Sequence, residues 1–185
     1  MPALWLTLIV LALAVAGYLA ARQRALASAG GNARALHSRP GYYGMNAVIF
    51  TTVPAFLVLV AWLILQPVVI GNMVAGGIAP ESIRAGQTID LMMNDVTRVA
   101  DGLDTAVAAG GMDEGFARNL RSDLTDVRAR LGEVGVALAS QVTQPVLRAA
   151  LRYRALMETG DLLRDILVLA LAIGGLAYAY FRTSK

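Results

Sequence analysis

The sequence predicts an all-α membrane protein in which three transmembrane helices carry an extracytoplasmic antiparallel helical hairpin. Three observations predict it. The 57% of apolar residues are gathered into long uncharged blocks. All 13 acidic residues lie between Glu81 and Asp165. Within that acidic stretch, apolar residues recur at heptad spacing. Blocked apolarity is the mark of a bilayer span, whereas soluble domains distribute their apolar residues periodically.

The first block, in the segment 1–21, runs from Ala3 to Ala21 without a charge. At about 1.5 Å per residue it is long enough to cross about 30 Å of hydrocarbon. A secretory leader needs basic residues ahead of its apolar core. Here Arg22 and Arg24 come after it, so a retained helix is expected. Residues 22–46 form a basic connection with Arg22, Arg24, Arg34 and Arg39 and no acid. Short connections of this kind stay in the cytoplasm. The second span is expected over 47–70, with Pro54 and Pro67 tolerated as membrane helices tolerate them. The segment 71–165 then lies outside, 166–181 is the third span, and 182–185 is a cytoplasmic tail. The preceding stretch, Leu147 to Leu163, carries Arg148, Arg152, Arg154, Glu158 and Asp161. At about 2.5–3.5 kcal/mol per charge near the midplane, that stretch stays in water. The aromatics agree with an N-terminus outside and a C-terminus in the cytoplasm. Trp5 and Trp62 fall near one interface, and Tyr18, Tyr42, Tyr43, Tyr178 and Tyr180 near the other.

In the outer segment, Ile89, Met93, Val96, Ala100, Leu103 and Val107 form one seam of alternating spacing four and three. Leu120, Leu124, Val127, Leu131, Val134 and Leu138 form a second. Such seams belong to paired helices of coiled-coil type. The expected first helix covers roughly 81–109, started by Pro80 and Glu81 and ended by Gly110 and Gly111. The second begins near Asp113 as its cap and continues, kinked at Pro145, into the third span. A two-helix seam is a thin core. Either a partner covers it, or Pro145 to Leu163 folds back and covers it within the chain.

The sequence pI near 9.6 invites a nucleic-acid reading. The charge distribution argues against one. Ten arginines accompany the 13 acids between Glu81 and Asp165, a net of −3 there, and the other six basic residues flank the apolar blocks. That pattern reports membrane topology. There is no Cys, so disulfides and thiolate metal sites are excluded. His37 is the only histidine, and a lone imidazole does not make a transition-metal site. Asp90, Asp95, Asp101 and Asp104 scatter around a helix, and Glu114, Asp123, Asp126 and Glu133 alternate with arginines. Pairs such as Asp126 with Arg130, or Arg130 with Glu133, stabilise a helix surface. The chain therefore reads as no enzyme, with no cofactor and no metal. Ala170, Gly174, Gly175 and Ala179 form a small-residue surface on the third span suited to close helix packing, either within the chain or onto another membrane protein.

The connection between the first two spans contains Ala35-Leu36-His37-Ser38-Arg39-Pro40-Gly41-Tyr42-Tyr43-Gly44. This run resembles the N-terminal region of the long-form phosphate ABC-transporter permease family, PstC. His37, Pro40, Gly41, Tyr42, Tyr43 and Gly44 carry the resemblance. Two early spans, a long outer helical segment and a third span extend it over the whole chain. The resemblance implies a partner permease, a cytoplasmic ATPase pair, an external phosphate-binding subunit and a location in the bacterial inner membrane. It also implies a permease core with a cytoplasmic coupling loop, which these residues do not contain, so no translocation residue is carried over. The expectation is an N-terminal membrane-anchored extension that scaffolds or regulates phosphate import without itself transporting. The rival is a membrane-anchored sensor or receptor fragment with an extracytoplasmic helical bundle.

Overall fold

The computed structural model describes residues 2–30, 39–83, 86–121, 126–133, 135 and 142–183. Among them every regular element is helical: α1 (Ala3–Ser28), α2 (Pro40–Ala75), a 3₁₀ turn (Pro80–Ser82), α3 (Ile89–Ala108), α4 (Glu114–Arg118), α5 (Val127–Glu133) and α6 (Gln144–Arg182). The helices α1, α2 and α6 are 26, 36 and 39 residues long, and each is long and apolar enough to cross a membrane. Their helical content runs past the uncharged blocks, α1 beyond Ala21 and α2 on both sides of 47–70. The chain divides into a first unit of residues 1–65 and 160–185 and a second of residues 66–159.

In the first unit, many large side chains point outward, and the buried faces combine a few large residues with many small ones. The buried face of α1 is Leu6, Val10, Ala14, Gly17, Ala21 and Ala25. From α2 come Ala47, Thr51, Ala55 and Leu59, and from α6 Val168, Ala172 and Ala179. Leu4, Leu8, Leu11, Val15, Ile49, Val53, Leu57, Val60 and Ile173 are exposed. Lipid tails solvate Leu as well as a protein interior does, so no hydrophobic drive pulls such residues inward. Close backbone approach drives association instead. The helix hydroxyls are satisfied locally: buried Thr51 donates to the carbonyl of Ala47 at 2.7 Å, and Thr52 to that of Val48 at 2.8 Å.

In the second unit a single apolar core joins the last part of α2 (Ile70, Val74), α3 (Met92, Val96, Val99, Ala100, Leu103, Ala106) and the short helices (Ala117, Val127, Leu131). The first turns of α6 complete it with Val146, Leu147, Ala149 and Ala150. Of the two ways to cover the seam, the chain uses its own residues from α6 and α2. Gln66 is buried here, and its Nε2 donates to the Met157 carbonyl at 3.0 Å.

The segment between α2 and α6 differs from the expected pair of long arms. The chain at Pro80 makes only a 3₁₀ turn, and α3 starts at Ile89, where the hydroxyl of Thr88 accepts from the Leu91 amide at 3.3 Å. The buried row of α3 is Met92, Val96, Val99, Leu103 and Ala106, with Ala100 and Gly102 beside it. Only Val96, Ala100 and Leu103 of the expected row are fully buried, because the core reaches α3 from several helices and not from one. Gly110, at φ +72°, ends α3. Its amide donates to Val107 and that of Gly111 to Ala106, at 3.0 and 2.9 Å, the paired bonds of a Schellman turn. Asp113 then caps α4, accepting from Gly115 and Phe116. After Arg118, Asn119 turns the chain: its side chain donates to the Gly115 carbonyl at 2.8 Å and closes the helix after five residues. Helix α5 follows as a separate seven-residue piece. Of the second expected row, Leu120, Val127 and Leu131 are buried, and Leu124, Val134 and Leu138 lie outside the described residues.

Candidate functional site

The arrangement offers packing surfaces and ion-pair clusters. Among the described residues no three His, Cys, Asp or Glu side chains converge as a metal site would need.

His37 lies outside the described residues. The rest of its run starts α2, with Pro40 as the first helical residue. Proline suits that place because its ring presets the helical φ and the missing N–H would have no helical partner there. Gly41 and Gly44, three apart, share a face onto which the Tyr18 ring of α1 is laid. An added Cβ on Gly41 would stand 3.6 Å from the Tyr18 hydroxyl, and one on Gly44 would collide with the ring. Tyr42 is exposed and Tyr43 half-buried. The two glycines thus have a steric reason that composition alone does not reveal.

The four small residues of α6 do not share a face. Ala170 and Gly174 are exposed, and a Cβ on Gly174 would meet open space. Ala179 is buried with Ala21 and Ala47. Gly175 is pressed against α2, where an added Cβ would overlap the Phe50 carbonyl. One residue along a helix is a rotation of about 100°, which separates the Ala170–Gly174 row from the Gly175–Ala179 row.

Two ionic clusters were not singled out by spacing. At the start of the third apolar stretch, Arg164 is 4% exposed; it binds Asp161 at 2.9 Å and Asp165, itself buried, at 2.9 Å. Only the Asp161–Arg164 separation of three residues hints at this pairing in the sequence. In the second unit, charges of alternating sign link three helices. Asp104 of α3 meets Arg154 of α6 at 2.7 Å, Arg154 meets Glu114 of α4 at 3.1 Å, Glu114 meets Arg118 at 2.9 Å, and Arg118 returns to Glu158 of α6 at 2.9 Å. Arg154 is the most enclosed member, with a side chain 10% exposed. Hydrogen bonding from Arg118, aided by Arg154, holds the Glu114 carboxyl below the usual carboxylate range. Burial, reinforced by the Asp104 charge, pushes Asp101 up, and burial with the Asp101 charge does the same to the Tyr153 phenol. Of the residues expected to pair on the helix surface, Asp126 accepts from the Ala129 amide at 3.1 Å, and the Arg130 guanidinium stands 6.0 Å from the Phe116 ring centre.

No curated protein matches the chain, and no solved structure matches it. Residues 7–177 match a protein family described as phosphate ATP-binding cassette transporter, a span that begins within α1 and ends within α6. The chain, with its three membrane-length helices and its helical segment between the second and third, belongs to the phosphate ATP-binding cassette transporter family.

Proposed function

We propose that the chain is the N-terminal membrane-anchored extension of a phosphate-import permease of the PstC type, and that it scaffolds or regulates the importer without carrying phosphate or hydrolysing nucleotide itself. The observation that carries this reading is the family match across all three apolar helices, from residue 7 to residue 177. The run from Ala35 to Gly44 supports the permease over other importer subunits by its resemblance. The proposed partners are the permease core, the ATPase subunits and the external phosphate-binding subunit. The proposed setting is the bacterial inner membrane, with the N-terminus and the second unit outside and the C-terminus in the cytoplasm, supported by the acid-free Arg22 to Arg39 connection.

The face of α6 that bears Ala170 and Gly174 is the proposed docking surface, since it is exposed and small. Co-purification of the tagged chain with the other importer subunits tests the reading. The parent is expected to bring them down, and Gly174→Leu to recover about tenfold less without loss of membrane insertion, since Leu favours the bilayer. A parent chain that recovers no importer subunit overturns the proposal, and undiminished recovery by Gly174→Leu overturns the docking face.

A further inference from the structure

The charges of the first unit are divided between its two ends. Of the 13 acids only Asp161 and Asp165 belong to this unit, and both bind Arg164. Arg182 lies about 25 Å further along α6, at 1.5 Å per residue. That exceeds the screening length of about 8 Å in physiological salt, so the two acids do not neutralise the far end. At that end α1 and α6 finish and α2 begins, bringing Arg22, Arg24, Arg39 and Arg182 with no acid among the described residues.

Two of these arginines are held in place by tyrosines. The Arg24 guanidinium lies 4.2 Å from the Tyr180 ring centre, a cation–π contact between α1 and α6. Its Nε is buried without a hydrogen-bond partner among the described residues. Arg182 donates to the Tyr178 hydroxyl at 2.6 Å and stands over the same ring. Tyr178 is in turn packed edge-on against Phe50 of α2 at 5.0 Å. Stacking on an aromatic face fixes a guanidinium while leaving its in-plane donors for oxygen ligands. Ordered cations at the rim of an apolar three-helix unit, flanked by tyrosines, face the depth at which lipid phosphates lie.

We propose that this end is a headgroup site for an anionic phospholipid, with Arg24 and Arg182 as its ordered cations and Arg22 and Arg39 adding charge around them. The lipid is favoured over an acidic protein loop because all three helices carry exposed apolar residues towards this end, Leu19, Ile49, Ile173 and Phe181, which would lie along acyl chains.

The test is native mass spectrometry of the full chain in neutral detergent, titrated with phosphatidylglycerol, phosphatidylcholine, inorganic phosphate or a glutamate-rich peptide. Phosphatidylglycerol should be retained in preference to phosphatidylcholine. Arg24→Ala should weaken retention about fivefold, the worth of one surface cation beside an anionic membrane. Arg24→Lys should lose less, and Arg98→Gln, at an exposed position of α3, nothing. If Arg24→Ala folds poorly by circular dichroism, the exposed pair Arg22→Gln and Arg39→Gln should still weaken retention. Equal retention of both lipids overturns the site, as does unchanged retention in folded Arg24→Ala together with the Gln pair. Displacement of the lipid by millimolar phosphate would identify a free-anion site instead, and tighter binding of the peptide a protein site; either overturns the lipid assignment.

Discussion

Gly175 of α6 sits against the carbonyl of Phe50 in α2, and residue 54, whose amide would serve that carbonyl in an unbroken helix, is Pro54. Proline has no N–H to give, so the Phe50 oxygen loses its usual helical donor at the point where Gly175 of α6 approaches it. A Cα–H of glycine can approach such an oxygen, and any side chain would displace it.

The first prediction follows from that contact. Gly175→Ala should lower the stability of the first unit by about 1–3 kcal/mol, the usual cost of overpacking against a neighbour that is backbone. Gly174→Ala, with open space around its Cβ, should be neutral. Thermal denaturation in detergent checks the pair. Equal melting points for the two variants would mean that α2 and α6 do not meet at Phe50.

Arg154 is the hinge of the ionic chain in the second unit. Arg154→Ala leaves Asp104 and Glu114 facing a shared gap, and should destabilise the unit by about 1–2 kcal/mol, reduced because both carboxylates are part-exposed. Denaturant titration of the intact chain, followed through the segment between α2 and α6, gives the value. An unchanged midpoint would show that the chain of charges carries no stability.

The same cluster gives a dependence on pH. Glu114 has a folded-state pKa held below its ordinary value, so its stabilising contribution is present above the usual carboxylate range and is lost as pH falls through the depressed value. Asp101 is raised by burial and acts with the opposite sign, its charged form costing stability as pH rises through the raised value. Glu114→Gln should therefore flatten the acid limb of the stability curve, and Asp101→Asn should raise stability at neutral pH relative to the parent. Opposite shifts in the two variants would reverse the assignment of the groups.

Leu131 has no exposed surface and belongs to the core that α6 and α2 close. Leu131→Asp buries an unpaired charge at a cost of several kcal/mol, comparable with the whole stability of a small domain. Limited proteolysis should cut the segment between α2 and α6 rapidly in this variant, while the first unit keeps its helicity. Parent-like resistance would place Leu131 outside the core.

The proposed topology has its own check. A thiol-specific reagent that does not cross membranes should label Gly111→Cys, an exposed turn position, and leave His37→Cys unlabelled in intact cells. The reverse pattern would invert the chain in the membrane.

What the sequence disclosed follows the range over which each signal acts. Uncharged blocks, the Gly110 turn and the Asp113 cap are local, and each is where the spacing and residue chemistry put it. The row on α3 shifted because a heptad count assumes one partner helix, while Met92, Val99 and Ala106 face others. The second arm broke at Asn119 because its side chain closes α4, a local competition that an apolar row does not register. The small residues of α6 divided into two faces because adjacent glycines suit either one, and only the position of Phe50 decides between them. Arg164 was least legible: buried charge is recognised from its surroundings, and two acids nearby in sequence are also what an exposed helix would carry.

The inward row of small residues in the first unit sets how its sequence can drift. Positions such as Leu8, Val15, Ile49 and Ile173 can exchange among Leu, Ile, Val and Phe with little consequence, because lipid accepts any of them. Gly44, Ala47, Gly175 and Ala179 admit almost no substitution, although a hydropathy profile would rate larger replacements as improvements. Damaging variants of this unit will therefore include changes that make it more hydrophobic, and a screen for loss of membrane character would pass over them.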